Sequence, residues 1–508
     1  MGHKKEEKEK KGVELINSID YFRGLRIYEQ SIRYKDDCCF FVMKEGLEKF
    51  LILIGDAEAL SRSGFQGAVM EHESQTFLKC PLTHENAGQL RSSFKFTKPV
   101  LIGNVNSYGL GDRLGNAGAA HLKAIRNSGF KPVLAQQSIR ELERTRRSGE
   151  DVLDAASWAV FQEGYTDGFG ADADHLKTTD DIDRMVKAGF TMFTIDPGDY
   201  VVNEALTMGK NDLMNSYSGL PWKDLNSDPG EGLSHYCKPV SLNHGFSLNP
   251  AKEEVMRGMV KYGGVMVHTK RMANYLKEIY PDHPAEFELS VDETDQPTTP
   301  FEHYLIASGL NRLGVKLVSL APRFYGDFEK GIDYKGNLEA FRKDYEQHLA
   351  IAEQFGGYKL SIHSGSDKFS VYGAIGSLQS GAVHVKTAGT SYLEALRTIA
   401  QTDPGLFREI LNFSLKRFDE DKRTYHISAN PELIPDPDSV GDHELHAFLN
   451  DNHARQVLHV AYGSVLTEAG AEKRGFKKRL MKSLSEHEEI YEKNLREHFI
   501  KHIKPFDL

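Results

Sequence analysis

No stretch of the chain approaches the roughly 20 consecutive apolar residues that a membrane-spanning helix needs. The N-terminus, MGHKKEEKEKKG, is polar and has no apolar core of a secretory leader, so it reads as a solvated, disordered tail. Cysteine is scarce: Cys38, Cys39, Cys80 and Cys237 include one adjacent pair and no C-x-x-C. That spacing speaks against a disulfide framework or zinc ribbon, and reduced thiols in a cytoplasmic protein are the expectation. Positive charge is also in deficit, with 63 Lys and Arg against 73 Asp and Glu for a net charge of −10. No basic domain is left to neutralise phosphates, so nucleic acid is not an expected partner, and neither is a membrane. The chain has no P-loop lysine motif and no G-x-S-x-G elbow. Its nearest approach to a dinucleotide fingerprint runs from Gly109 through Gly111, but Leu114 stands where the third glycine belongs and Gly115 comes one residue late.

What the sequence does contain is core-forming material, 40% hydrophobic against 27% charged, in a chain of 508 residues. Residues 13–96 mix short apolar strands, at Cys39–Val42 and Phe50–Ile54, with helical and turn signals and read as an α+β extension. From Pro99 onward, short β-type runs alternate with helix-length amphipathic stretches, the sign of βα units on a parallel sheet. The runs are Val100–Val105, Pro132–Gln136, Gly168–Asp172, Met192–Ile195, Phe287–Val291, Lys316–Leu320, Lys359–Ile362, Val383–Val385 and Tyr425–Ser428. Eight of these nine closing on themselves predict an α/β protein with a (β/α)8 TIM-type barrel over residues 97–440. An open doubly wound sheet is the competing architecture. The long interval between Asp196 and Phe287 implies an insertion at 200–285, of the kind that often serves as a lid. Residues 441–508 are helical in pattern, and the charged run Glu472–Lys482 and the histidines His443, His446, His453 and His459 read most plainly as solvated helix.

In a parallel barrel, catalytic groups gather at the carboxyl ends of the strands. Here those ends carry Asn104, Gln136, Asp172, Asp174, His175, Lys177, Asp196, Asp292, Glu293, Arg323, His363, Ser364 and Lys386. Asp174 and His175 are neighbours, and on an extended backbone they point apart, so both enter one site only if the chain turns there. The functional reading gives His175 to a metal and Asp174 to base chemistry. The structural one makes Asp174 a helix N-cap. Around Asp292 and Glu293, Glu288, Ser290 and Asp292 share one face of a strand and Phe287, Leu289 and Val291 the other. An N-cap for the helix starting near Pro300 is the plain alternative there. His363 precedes a Gly/Ser turn and Lys368, which suits a ligand followed by an anion contact. Arg323 and Glu329 suit a carboxylate fork and a further metal ligand, or a loop salt bridge.

With these residues assembled, the sequence resembles the tagaturonate epimerase family, relatives of which serve as tagatose/fructose 4-epimerases. The likeness is carried by Ala171-Asp-Ala-Asp-His-Leu-Lys-Thr178, Ser290-Val-Asp-Glu-Thr294, the segment Pro322–Asp333 and Leu360-Ser-Ile-His-Ser-Gly-Ser-Asp-Lys368. The resemblance implies a divalent-metal enzyme that interconverts D-tagaturonate and D-fructuronate. It implies Asp174 and Glu293 as acid/base residues, with Asp292 an alternative to Glu293 that otherwise meets substrate. His175, His363 and Glu329 would be the metal ligands. The inverted carbon is not next to the ketone, so its C–H is not acidic, and retro-aldol cleavage with re-addition is the economical route. Two proton-transfer groups and a Lewis-acidic ion fit such a route, and a histidine-rich shell suits Zn, Mn, Ni or Co. Lys177, Arg323, Lys368 and Lys386 are candidates for the substrate carboxylate. A sugar isomerase or class II aldolase on the same barrel, and a non-catalytic sugar-acid binding protein, are the alternatives. Homo-oligomerisation is compatible with the sequence.

Overall fold

The computed structural model describes residues 11–72, 75–467 and 475–506. Most of the N-terminal tail and the start of the charged run, Glu472–Arg474, lie outside these residues. Five antiparallel strands form the first sheet: β1 (Arg26–Lys35), β2 (Cys38–Glu45), β3 (Glu48–Ile54), β4 (Ala68–His72) and β5 (Gln75–Pro81), in the order β1-β2-β3-β5-β4. Both faces of β2 are covered, which explains its unbroken apolar run Cys38–Met43. One face packs on Ile16, Ile19 and Phe22, and the other on Trp158 and Phe161 of the helix Gly149–Gln162. All four cysteines are free thiols.

Eight parallel strands then close into a barrel: β6 (Ser107–Gly109), β7 (Lys131–Ser138), β8 (Gly170–Leu176), β9 (Met192–Ile195), β12 (Glu286–Val291), β13 (Ser319–Pro322), β14 (Lys359–Ile362) and β15 (Val383–Lys386). The intervening β10 (Val240–Ser241) and β11 (Ser247–Leu248) form a two-stranded hairpin in the insertion, which ends in the long helix Lys252–Ile279. β9 pairs with β12 and β15 returns to β6, so the doubly wound alternative is overturned.

Two of the nine sequence runs are not barrel strands. Val100–Val105 stops short because Gly103 takes φ +70° and breaks the extension. The amides of Ile102 and Gly103 instead donate to Glu286, and Val100, Leu101 and Val105 stay partly exposed. Tyr425–Ser428 is a loop whose Ser428 amide and hydroxyl donate to Glu329. Gly111, part of the loose glycine motif, serves packing. A Cβ there would meet the Cα of Ala388 at 2.5 Å, so the loop after β6 could not lie against the end of β15.

The C-terminal helix Glu488–Ile503 ties the parts together. Glu488 accepts from Tyr28 at 2.8 Å and pairs with Lys44 at 3.0 Å and Lys49 at 2.7 Å, one residue from each of β1, β2 and β3. Ten residues on, His498 reaches Asp367, in the loop after β14, and Glu394 at 3.2 Å. Asp367 also pairs with buried Arg455, and the Asp367 amide donates to His502. Among the described residues, no helix is long and apolar enough to cross a membrane.

Candidate active site

The carboxyl ends of β7, β8, β12, β14 and β15 surround a cavity of about 60 Å³, lined by Gln136, Asp174, His175, Asp292, His363 and Lys386 among others. It adjoins a larger pocket of about 340 Å³ that shares the Asp292, Glu293, Lys330 and His363 walls and adds Arg323. Beneath the mouth, the barrel interior is polar rather than filled with branched apolar side chains. Lys386 places its ammonium 2.8 Å from Asp172, 2.7 Å from Asp174 and 2.8 Å from Glu288, with Thr194 at 2.9 Å. None of these charges could be buried alone, since the desolvation penalty of each is several kcal/mol. The three carboxylates share that one ammonium, and the contact lets all four groups be buried together. Burial pushes the Asp172 carboxyl up to about 6 even beside Lys386.

Asp174 and His175 share the site because the chain does turn between them. His175 takes a left-handed φ of +59°, and the β8–β9 register slips between Ala173 and Leu176. A bulge of this kind re-aims a side chain at a strand end. Asp174 is not the N-cap of the next helix, because Thr178 performs that role with Asp181. Thr299 likewise caps the helix Pro300–Arg312, freeing Asp292 and Glu293 from capping.

Donor atoms of His175, Asp292 and His363 all lie within 4.8 Å of one another. The Asp292 carboxylate sits 3.1 Å from the buried Nδ1 of His363. Two ligands at about 2.1 Å from one ion stand roughly this far apart, so the separation also suits a shared metal. The second nitrogen of each ring is held by a carboxylate: His175 Nδ1 by Asp174 at 2.8 Å, and His363 Nε2 by Glu288 at 2.7 Å. This is the outer-sphere arrangement that fixes a metal-ligating imidazole's orientation and raises its basicity. Burial opposes charge on the His363 ring, but Asp292 and Glu288 push it up to about 10. Burial would raise Asp174, and the His175 ring and Lys386 ammonium hold it well below the usual carboxylate range.

The expected third ligand, Glu329, is elsewhere. Its carboxylate accepts from the Ser428 amide at 2.8 Å and Gln456 at 2.7 Å, and pairs with Lys335 at 3.1 Å, so it ties loops together. Asp292 stands in the position expected of it. Of the four cations expected for substrate, Lys177 is exposed and paired with Asp199 at 3.1 Å. Lys368 is buried and donates to the carbonyls of Glu329, Ile332 and Ser366. Arg323 donates to the Thr294 carbonyl at the rim of the larger pocket. Lys386 is committed to its three carboxylates. Asp174 and Glu293 both line the cavity, and Glu293 pairs with Arg140 at 3.2 Å.

The walls also hold Arg113, Arg140, Glu141, Lys330 and His459, which the strand-end pattern does not point to. Arg140 is the second residue of the helix Ile139–Thr145, four residues beyond the end of the run Pro132–Gln136. Lys330 adjoins Glu329, which drew attention to itself. His459 was read as solvated but is 2% exposed, and a Cβ on Gly389 would strike its ring at 2.0 Å. Only a glycine at 389 lets that helix reach the site.

A family model described as tagaturonate epimerase matches residues 28–506 of the chain. The tagaturonate/fructuronate epimerase of Thermotoga maritima is 43% identical over 491 residues, covering 95% of this chain and 98% of that protein. The native crystal structure of fructuronate-tagaturonate epimerase from Cohnella laeviribosi is 38% identical, with a TM-score of 0.87 over 98% of this chain and 99% of that one. A two-glycerol complex of the same protein gives a TM-score of 0.88 over 97% and 99%.

Proposed function

The chain belongs to the tagaturonate epimerase family and is an epimerase of hexuronate sugars, and on that premise we propose that it interconverts D-tagaturonate and D-fructuronate at a divalent metal held by His175, Asp292 and His363. The observation that carries this reading is the convergence of those three donors at the barrel mouth, each imidazole braced by its own carboxylate. A bound Zn, Mn, Ni or Co ion would supply Lewis acidity and neutralise negative charge on substrate oxygens.

The chain's own side chains supply the proton transfers. Asp174 Oδ2, which accepts from Gln136 at 3.0 Å, removes the proton of the hydroxyl on the carbon to be inverted. The bond from that carbon to its neighbour beside the ketone then breaks, leaving an aldehyde and an enediolate. After the aldehyde turns, the same carbon–carbon bond re-forms on its other face, and Glu293, carrying a proton from the start of the cycle, gives it to the new alkoxide while Asp174 keeps the one it took. Asp174 lies on β8 and Glu293 beyond β12, with β9 between them, so the two carboxylates approach from different walls. In the reverse direction they exchange roles.

The test is elemental analysis of the purified protein together with a chromatographic assay on D-tagaturonate. Chelation is expected to abolish turnover and a divalent ion to restore it, and His363→Ala to lose both metal and activity. A His363→Ala protein that keeps its metal and its full rate overturns the assignment.

A further inference from the structure

A uronate differs from the corresponding ketohexose by a carboxylate, and a site that prefers the acid needs a cation with no anion already on it. The cationic side chains around the cavity are Arg113, Arg140, Lys330 and Lys386. Lys386 is surrounded by Asp172, Asp174 and Glu288. Arg113 is 3% exposed, pairs with Glu141 at 2.9 Å and lies over the Tyr462 ring at 3.6 Å. Arg140 is taken by Glu293. Lys330 differs. Its ammonium contacts the Ser364 hydroxyl at 2.5 Å and forms no ion pair among the described residues, and it lies near enough to Glu293 to favour that carboxylate's charge.

Its position suits the task. Lys330 lines both the small cavity and the larger pocket, at the junction a six-carbon acid would cross. Its anchor, Ser364, follows the candidate ligand His363 and takes a left-handed φ of +51°. A non-glycine residue held there is strained, and the hydroxyl–ammonium contact fixes the lysine relative to the metal-side wall.

We propose that Lys330 receives the substrate's carboxylate and sets the preference for uronates over neutral ketoses. This rests on the epimerase reading above. A lysine meets a carboxylate as a compact point charge, and losing a charge-assisted contact of this type costs about ten- to a hundred-fold in affinity. Ser364 then has a positioning role, holding the ammonium until substrate takes a second place on it.

The experiment compares wild type, Lys330→Gln and Lys330→Arg as metal-loaded full chains, with D-tagaturonate as substrate and D-tagatose as neutral substrate or competitor. Expected is a rise of about ten- to a hundred-fold in KM for tagaturonate in Lys330→Gln, with a much smaller change in kcat. The apparent affinity for tagatose should change several-fold less than that for tagaturonate, and Lys330→Arg should recover most of the loss. Metal content, measured alongside, should match wild type. A fall in kcat at constant KM, an equal loss on both sugars, or a loss of metal in Lys330→Gln overturns the proposal, since each marks Lys330 as a support for the turn at Ser364. An unchanged KM overturns it too. Calorimetric binding of tagaturonate separates this from the parent reading. A wild-type protein that binds the acid through Lys330 without turning it over fails as an epimerase and still retains the carboxylate site.

Discussion

At the turn after β12, Asp292 approaches His363 at 3.1 Å while the next side chain, Glu293, reaches outward to Arg140 at 3.2 Å. Their side chains are 20% and 53% exposed, which divides the work between them. Asp292→Asn is expected to lower metal affinity by about a hundred-fold or more, read by metal retention after dialysis. Glu293→Gln should keep its metal and lose about a hundred- to ten-thousand-fold in kcat, the usual worth of a positioned acid/base group. Metal loss in Glu293→Gln with retention in Asp292→Asn would reverse the roles. The residues legible in the sequence here were those at strand ends, because a titratable group where a barrel strand stops has few structural reasons to be there. Which of two adjacent carboxylates turns toward His363 was not legible, since one residue of turn geometry decides it. Glu329 misled for the same reason: its loop carries it to Ser428 and Gln456, contacts that link positions about a hundred residues or more apart.

Among the elements, the C-terminal helix Glu488–Ile503 gives a pH-dependent contact far from the site. Burial disfavours the Glu488 carboxylate, but Lys49, Lys44 and Tyr28 outweigh it and push the group down to about 2. A carboxyl whose folded value lies below its ordinary one of about 4.3 contributes stability above that value and loses it as pH falls toward 2. The gain is at most about 3 kcal/mol, and burial of the Lys49 ammonium, which pushes that group down, offsets part of it. Docking of the N-terminal sheet should therefore weaken between about pH 4.5 and 2, reported by the emission of Trp158 beneath it. Glu488→Gln should be weaker at neutral pH and flatter across that range; an unaltered acid profile would dismiss Glu488 as the cause. Seven of the eight barrel strands were readable because a parallel strand covered on both sides is a short apolar run, whereas β6, only Ser107–Gly109, is too short and too poor in apolar residues to stand out. Val100–Val105 has that composition without the burial, and only Gly103 betrays the break. The tie from Glu488 to Lys44 spans 444 residues and leaves no local pattern to read.

For the whole molecule, the barrel was legible because its signal repeats with each βα unit, whereas the way the ends of the chain grip it had to come from the structure. Asp367 is the centre of that grip, meeting Arg455, His498 and the C-terminal helix inside the protein. Asp367, His498 and His502 also lie close enough to suggest a second metal position. His502 Nε2 already accepts the Asp367 amide, and Arg455 supplies the positive charge, so the cluster is complete as protein. Asp367→Asn should leave Arg455 buried without its partner and cost about 3–5 kcal/mol in denaturant unfolding. Metal content should survive, because Asp367 is not among the three converging donors. A variant as stable as wild type would show that the arginine finds another partner.

The neutralising role of Lys386 also sets an order in time. Asp172 leaves the ribosome 214 residues before Lys386 does, counting 386 − 172. At common synthesis rates of about 5–20 residues per second, the interval is roughly ten to forty seconds. Through it Asp172 and Asp174, joined later by Glu288, are without the ammonium that all three share in the finished barrel. The arrival of the eighth strand therefore both completes the cylinder and brings the ammonium that these buried acids share.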